Sequence, residues 1–144
     1  MKIFVTGGDG LLGSNLVREL LDRGHELCVL IQPGREVNTL HGLRLEKVIG
    51  DLLDFKSLKA VAKGAEAIIH TAAITSNWPS RSELVNKVNI EGTQNIICLA
   101  KEIDVKMLVH VGTANTFGFG TKEKPGREDG EYMGFKYGLD YWDS

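Results

Sequence analysis

Cysteine and proline are scarce in this chain, aromatic residues make up 7%, and neither sign of charge dominates. Each shortage removes a class of function. Cys28 and Cys98 are the two cysteines in 144 residues, so neither a disulfide scaffold nor a cysteine metal site is available. Both sit in apolar segments and read as buried free thiols in a reducing compartment. With 17 Lys and Arg against 19 Asp and Glu, scattered along the chain, no basic face offers itself to nucleic acid or anionic lipid. No apolar run approaches membrane-spanning length. Met1 is followed at once by the strand-like Lys2 to Thr6, with no basic or apolar leader ahead of it. The expectation is a cytoplasmic protein that handles small molecules, without membrane, nucleic acid or metal. No linker, repeat or low-complexity tract interrupts the sequence, and 42% hydrophobic with 25% charged residues suits one globular domain over residues 1–144.

What is present is a regular alternation. Short apolar, β-branched runs at Ile3 to Thr6, Leu27 to Ile31, Leu45 to Ile49, Ala67 to Thr71 and Met107 to Gly112 read as buried strands. Between them lie helical patterns. Leu12, Leu16 and Leu20 recur at helical spacing before Gly24, a second helix begins at Asp54 or Ser57 and runs to Ala62, and a long one covers Ser82 to about Ile103. Strands separated by helices must lie parallel with right-handed crossovers. The expected fold is α/β, a doubly wound parallel sheet in three α/β/α layers, strand order 3-2-1-4-5, ending after its fifth strand.

The most informative segment is Thr6-Gly7-Gly8-Asp9-Gly10-Leu11-Leu12-Gly13, which leaves the first strand and opens the first helix. Gly7 permits a tight turn, Gly10 lets backbone approach a diphosphate, and Gly13 allows helix and strand to pack closely. The helix N-terminus, with free N–H groups and a positive dipole end, then faces the anion without any basic side chain. This is the phosphate turn of a Rossmann domain, and Leu11 and Leu12 continue it.

The Gly-x-x-Gly-x-x-Gly spacing resembles that of the extended short-chain dehydrogenase/reductase family, which includes sugar-nucleotide epimerases and dihydroflavonol reductases. Three further stretches share the resemblance. Gly50-Asp51-Leu52 is similar to a motif whose aspartate meets the adenine amino group, which makes Asp51 and Leu52 adenine-site candidates. His70-Thr71-Ala72-Ala73 is similar to a segment whose backbone lines the cofactor ribose and diphosphate. Asn89-Ile90-Glu91-Gly92-Thr93 resembles a segment whose asparagine supports the active-site architecture. The resemblance implies an NAD(P)-binding domain of an oxidoreductase, with a C-terminal substrate domain beyond it; apolar sheet surface left uncovered without that domain would favour self-association into a homo-oligomer. Asp51 also reads as a simple turn cap, and His70, in an apolar strand, as a hydrogen-bonded core residue. Trp78 could border a substrate pocket or close apolar surface beneath its loop.

Val111-Gly112-Thr113-Ala114-Asn115-Thr116-Phe117-Gly118 resembles the family stretch that holds the catalytic hydroxyl, which falls on Thr113. A hydroxyl there would donate to the substrate oxygen whose charge changes during hydride transfer. The family reaction also needs a tyrosine with a lysine four residues on, since a free phenol near pKa ~10 is a poor proton-transfer group at neutral pH. Tyr141-Trp142-Asp143-Ser144 resembles the fuller motif, with its lysine due at position 145, one residue past the end of this sequence. The chain therefore reads as a portion of a longer protein. Tyr132 and Lys136 satisfy the literal spacing and come second, because Gly134 between them disfavours helix.

No carboxylate stands at the end of the second strand, where it would accept from a ribose 2′-OH and select NAD. Gln32 stands where relatives that favour NADP often place an arginine; Arg35 lies close enough in sequence to meet a 2′-phosphate and also reads as a solvated loop arginine. The reading is NADP or NAD, with NADP preferred. Beside hydride transfer to a carbonyl or from an alcohol, two alternatives stand: sugar-nucleotide epimerase or dehydratase chemistry, and a dinucleotide sensor or scaffold without catalysis.

Overall fold

A computed structural model describes residues 1–76, 78 and 82–137. In chain order they form β1 (Lys2–Thr6), α1 (Leu11–Asp22), β2 (Glu26–Ile31), β3 (Glu46–Ile49), α2 (Phe55–Val61), β4 (Ala67–His70), α3 (Glu83–Asn86), α4 (Gly92–Glu102) and β5 (Met107–His110). All pairings are parallel and the sheet order is β3-β2-β1-β4-β5. The expected alternation and strand order are thus both present.

Side chains alternate across the sheet and build a core on each face. Phe4, Cys28, Leu30 and Ile68 point one way, where Leu58 and Ala62 of the α2 segment and Ile96, Leu99 and Ala100 of α4 cover them. Ile3, Val5, Leu27, Val29 and Ala67 point the other way, onto α1 and the buried Leu40 of the β2–β3 connection. Phe4 is fully buried at the centre of the first core, so its truncation to Ala is expected to cost about 3–5 kcal/mol. Over β4 and β5, the α1 side of the sheet leaves Met107 and Val109 exposed, with Val111 just beyond.

Local chemistry explains the element ends. Asp54 caps α2, its carboxylate accepting from the N–H groups of Lys56 and Ser57. Gly24 and Gly64 follow α1 and α2 with φ of 78° and 81°, the left-handed conformation that ends a helix. The α1 helix faces the core with Gly13, Val17, Leu20 and Leu21, while Leu12 is exposed. The close approach of Gly13 to the phosphate turn sets that rotation. The long helix expected over 82–103 is continuous but carries a π-helical turn at Lys87–Glu91 between α3 and α4. Cys28 is buried as expected, and burial, reinforced by Glu46, pushes its thiol up to about 11. Cys98 is exposed, contrary to expectation, because Ile96, Leu99 and Ala100 take the inward positions of α4. No helix of the described residues is long and apolar enough to cross a membrane.

Candidate functional site: a two-chamber cleft at the sheet's carboxyl edge

The glycine turn sits where the strand order reverses, between β1 and β4. In parallel α/β sheets that switch point is where ligands bind. Gly7 has φ 70°, and a Cβ on it would lie 2.6 Å from the Ala72 backbone nitrogen at the end of β4. A Cβ on Gly13 would collide with the Gly7 carbonyl, and one on Gly8 would lie 2.6 Å from a Val29 methyl. Gly10 differs from these. A Cβ there would touch only the Gly7 carbonyl oxygen, at 3.3 Å, and otherwise enter open space on the cleft side. No side chain caps the N-terminus of α1 and its first turn holds no acidic residue. Its leading N–H groups are therefore available to an anion, and the empty space at Gly10 leaves room for one. The residues present fit a dinucleotide diphosphate.

The cleft has two chambers that share Gly7, Gly10, Thr71, Ala72 and Ala73. The outer, about 310 Å³, is bordered by Gln32, Arg35, Asp51 and Leu52. The inner, about 470 Å³, is bordered by Leu11, Leu12, Gly13, Asn89 and Thr113. Every described residue named from the sequence as a cofactor contact, and Thr113 with them, therefore lines one continuous cleft. No group of three or more His, Cys, Asp or Glu side chains among the described residues is placed to hold a metal ion.

The walls are fixed by hydrogen bonds. The Thr71 hydroxyl donates to the Thr6 carbonyl at 2.8 Å, and Asn89, in the π-helical turn, bonds both backbone groups of Ile74. Such turns often mark functional sites. Leu52 is buried against Gly92, and its carbonyl accepts from the Asn95 amide at 2.8 Å. Asp51 Oδ1 accepts from the Leu53 N–H at 2.9 Å, so the turn-cap reading is realised at the chamber's edge. His70 is a core residue. Its Nδ1 lies 2.6 Å from the Thr6 hydroxyl and its Nε2 3.0 Å from that of Thr93, and its ring stacks on His110 at 5.3 Å. Burial, and secondarily His110, pushes its pKa down to about 4.

Trp78 is 82% exposed and borders neither chamber. Tyr132 and Lys136 border neither chamber, and Lys136 Nζ contacts Met133 sulfur at 3.4 Å instead. Tyr141 lies outside the described residues. Sequence reasoning passed over Asp9, which borders the outer chamber, and His110 and Thr93, which border the inner. Asp9 could have been noticed, since it stands within the glycine turn.

A parallel sheet with this glycine turn at its switch point defines an α/β dinucleotide-binding domain. More specifically, the chain belongs to the NAD dependent epimerase/dehydratase family, whose model matches residues 3–140. It is 31% identical over 137 residues to the 2-alkyl-3-oxoalkanoate reductase of Stenotrophomonas maltophilia, covering 90% of this chain and 41% of that protein. It is 31% identical over 138 residues to human 3 beta-hydroxysteroid dehydrogenase type 7, covering 89% and 37%. Among solved structures, the Bordetella bronchiseptica enzyme WbmG in complex with NAD and UDP superposes with a TM-score of 0.80 at 26% identity, covering 98% of this chain and 45% of that one. The chain spans less than half the length of each of these proteins.

Proposed function

We propose that this chain is the cofactor half of an NAD(P)-dependent oxidoreductase that moves hydride between a nicotinamide and a carbonyl or alcohol of a small molecule. The observation that carries this reading is the shared cleft, with the glycine turn at its centre and Thr113 at its inner end. Gly7, Gly10 and Gly13 with the start of α1 hold the diphosphate, and Leu11 and Leu12 flank it. Asp51 and Leu52 meet the adenine, while Thr71, Ala72 and Ala73 present backbone and small side chains to the ribose and diphosphate. Asn89 holds that wall in place. When bound, the nicotinamide supplies or accepts the hydride. Thr113 donates a hydrogen bond to the substrate oxygen as its charge changes, and Tyr141 moves a proton to or from that oxygen.

NADP is the preferred cofactor in this reading, supported by Arg35 at the outer chamber and by Gln32 rather than a carboxylate directly after β2. Cytoplasmic location and a homo-oligomer are part of the proposal, the second supported by the exposed apolar Met107, Val109 and Val111. WbmG, solved with NAD and UDP, supports sugar-nucleotide epimerase or dehydratase chemistry as a second reading.

The test is a hydride-transfer assay of the full-length protein against ketones, aldehydes and sugar nucleotides. Thr113→Ala should lower kcat/KM by roughly a hundredfold or more while Thr113→Ser keeps most of it. Absence of turnover with every class would support a cofactor sensor. Turnover unaffected by Thr113→Ala but lost in Tyr132→Phe would move the chemistry to Tyr132 and Lys136.

A further inference from the structure

The connection after β2 is tied to the glycine turn at several points. Gln32-Pro33-Gly34-Arg35 closes a tight turn, with the Arg35 N–H donating to the Gln32 carbonyl at 3.1 Å and Gly34 at φ 77°. Proline followed by a glycine at positive φ is the pattern of a type II turn. It brings Arg35 back onto Asp9, whose Oδ2 accepts from Arg35 Nε at 2.6 Å. A few residues on, the Thr39 hydroxyl donates to the Asp9 carbonyl at 3.0 Å, and Arg18, on α1, donates to the Thr39 carbonyl at 2.7 Å. Leu40, next in the chain, is fully buried. Arg35 is therefore not a freely solvated loop residue.

The pair is asymmetric. The Asp9 side chain is 16% exposed and that of Arg35 60%, and both residues border the outer chamber. The bond to Asp9 uses Nε alone, so among the described residues the two Nη groups of Arg35 have no protein partner. A guanidinium held by Nε presents its outer edge as a two-pronged donor, the geometry that suits phosphate. Asp9 would otherwise be a carboxylate beside a diphosphate site, and the pairing neutralises it.

We propose that Asp9 is a positioning residue for cofactor selectivity: it holds Arg35 by Nε so that the Nη edge receives a 2′-phosphate on the adenosine ribose. This rests on the NADP preference proposed above. An unheld arginine must lose its side-chain freedom on binding, whereas the Asp9 charge is already balanced by its bond to Nε and adds little repulsion. Ordering outweighs repulsion, so loss of Asp9 weakens phosphate recognition.

Calorimetry on the full-length protein with two adenosine fragments, 2′,5′-ADP and 5′-AMP, separates the terms without any turnover. Arg35→Ala should lower the affinity ratio of 2′,5′-ADP to AMP by about tenfold or more. Asp9→Ala should lower it by about tenfold with AMP binding kept. Asp9→Asn, whose amide oxygen can still accept from Nε, should restore it to within about threefold. An unchanged ratio in Arg35→Ala would overturn the NADP reading and this proposal with it. A reduced ratio in Arg35→Ala beside an unchanged or raised one in Asp9→Ala would overturn the positioning role alone. Equal losses of both fragments in Asp9→Ala would make Asp9 a structural part of the turn and also overturn it.

Discussion

Asn89 grips Ile74 by both of its backbone groups: Oδ1 accepts from the Ile74 N–H at 2.8 Å and Nδ2 donates to the Ile74 carbonyl at 3.0 Å. The π-helical turn places Asn89 where it can do so, and the segment so held follows Thr71, Ala72 and Ala73, which both chambers share.

Removal of that grip leaves two backbone groups to find other partners. Asn89→Ala should destabilise the fold by about 2 kcal/mol and weaken dinucleotide binding as the wall loosens. Asn89→Asp keeps the acceptor and loses the donor, so it should fall between the two. Urea unfolding curves beside cofactor titrations check this. Asn89→Ala with native stability and native affinity would dismiss the grip as incidental.

The glycines of the turn separate by what a methyl group would meet. Gly13→Ala would press on the Gly7 carbonyl and Gly8→Ala on Val29, so both should lower stability, by about 1–3 kcal/mol or more. Thermal melts without cofactor read this directly. Unchanged melting of both variants would contradict the described packing.

Acid stability depends on His70. Its folded pKa of about 4 lies below the ordinary 6.5, so burial as the neutral ring contributes stability above pH 6.5 that is lost as pH falls toward 4. The full difference is on the order of 3 kcal/mol. Glu66 and Glu83, held below the usual 4.5 by Lys106 and Lys87, lose their contributions only under more acid conditions. Urea midpoints measured between pH 7 and 4.5 should fall steadily in the native protein and more gently in His70→Gln. Parallel slopes would mean that His70 already titrates normally.

Much of the architecture was legible because it rests on local chemistry. Period and β-branching mark the strands, the glycine pattern marks the turn, and Asp54 and Gly64 bound α2. The ends of β4 and β5 were overextended by one residue and two. Thr71 and Val111 donate to the Thr6 and His70 carbonyls at the sheet edge and the chain then turns away, which composition does not register. The leucine spacing marked α1 as a helix but not which face it buries, since that depends on the contact Gly13 makes with the turn. The exposure of Cys98 depends on which side of α4 meets the sheet. The Asp9–Arg35 pair spans 26 residues and needs the Gln32–Arg35 turn to exist, so no local pattern announces it.

If a nicotinamide dinucleotide lies across the glycine turn, a side chain at Gly10 should displace it. A side chain at Gly10 meets little protein but enters the open side of the cleft. Calorimetric titration with NADP and NAD should give one saturable site in the native protein. In Gly10→Glu, whose carboxylate would occupy the diphosphate position, affinity should fall by roughly a hundredfold or more while the melting temperature is retained. Native affinity in a folded Gly10→Glu protein would place the cofactor elsewhere than the glycine turn.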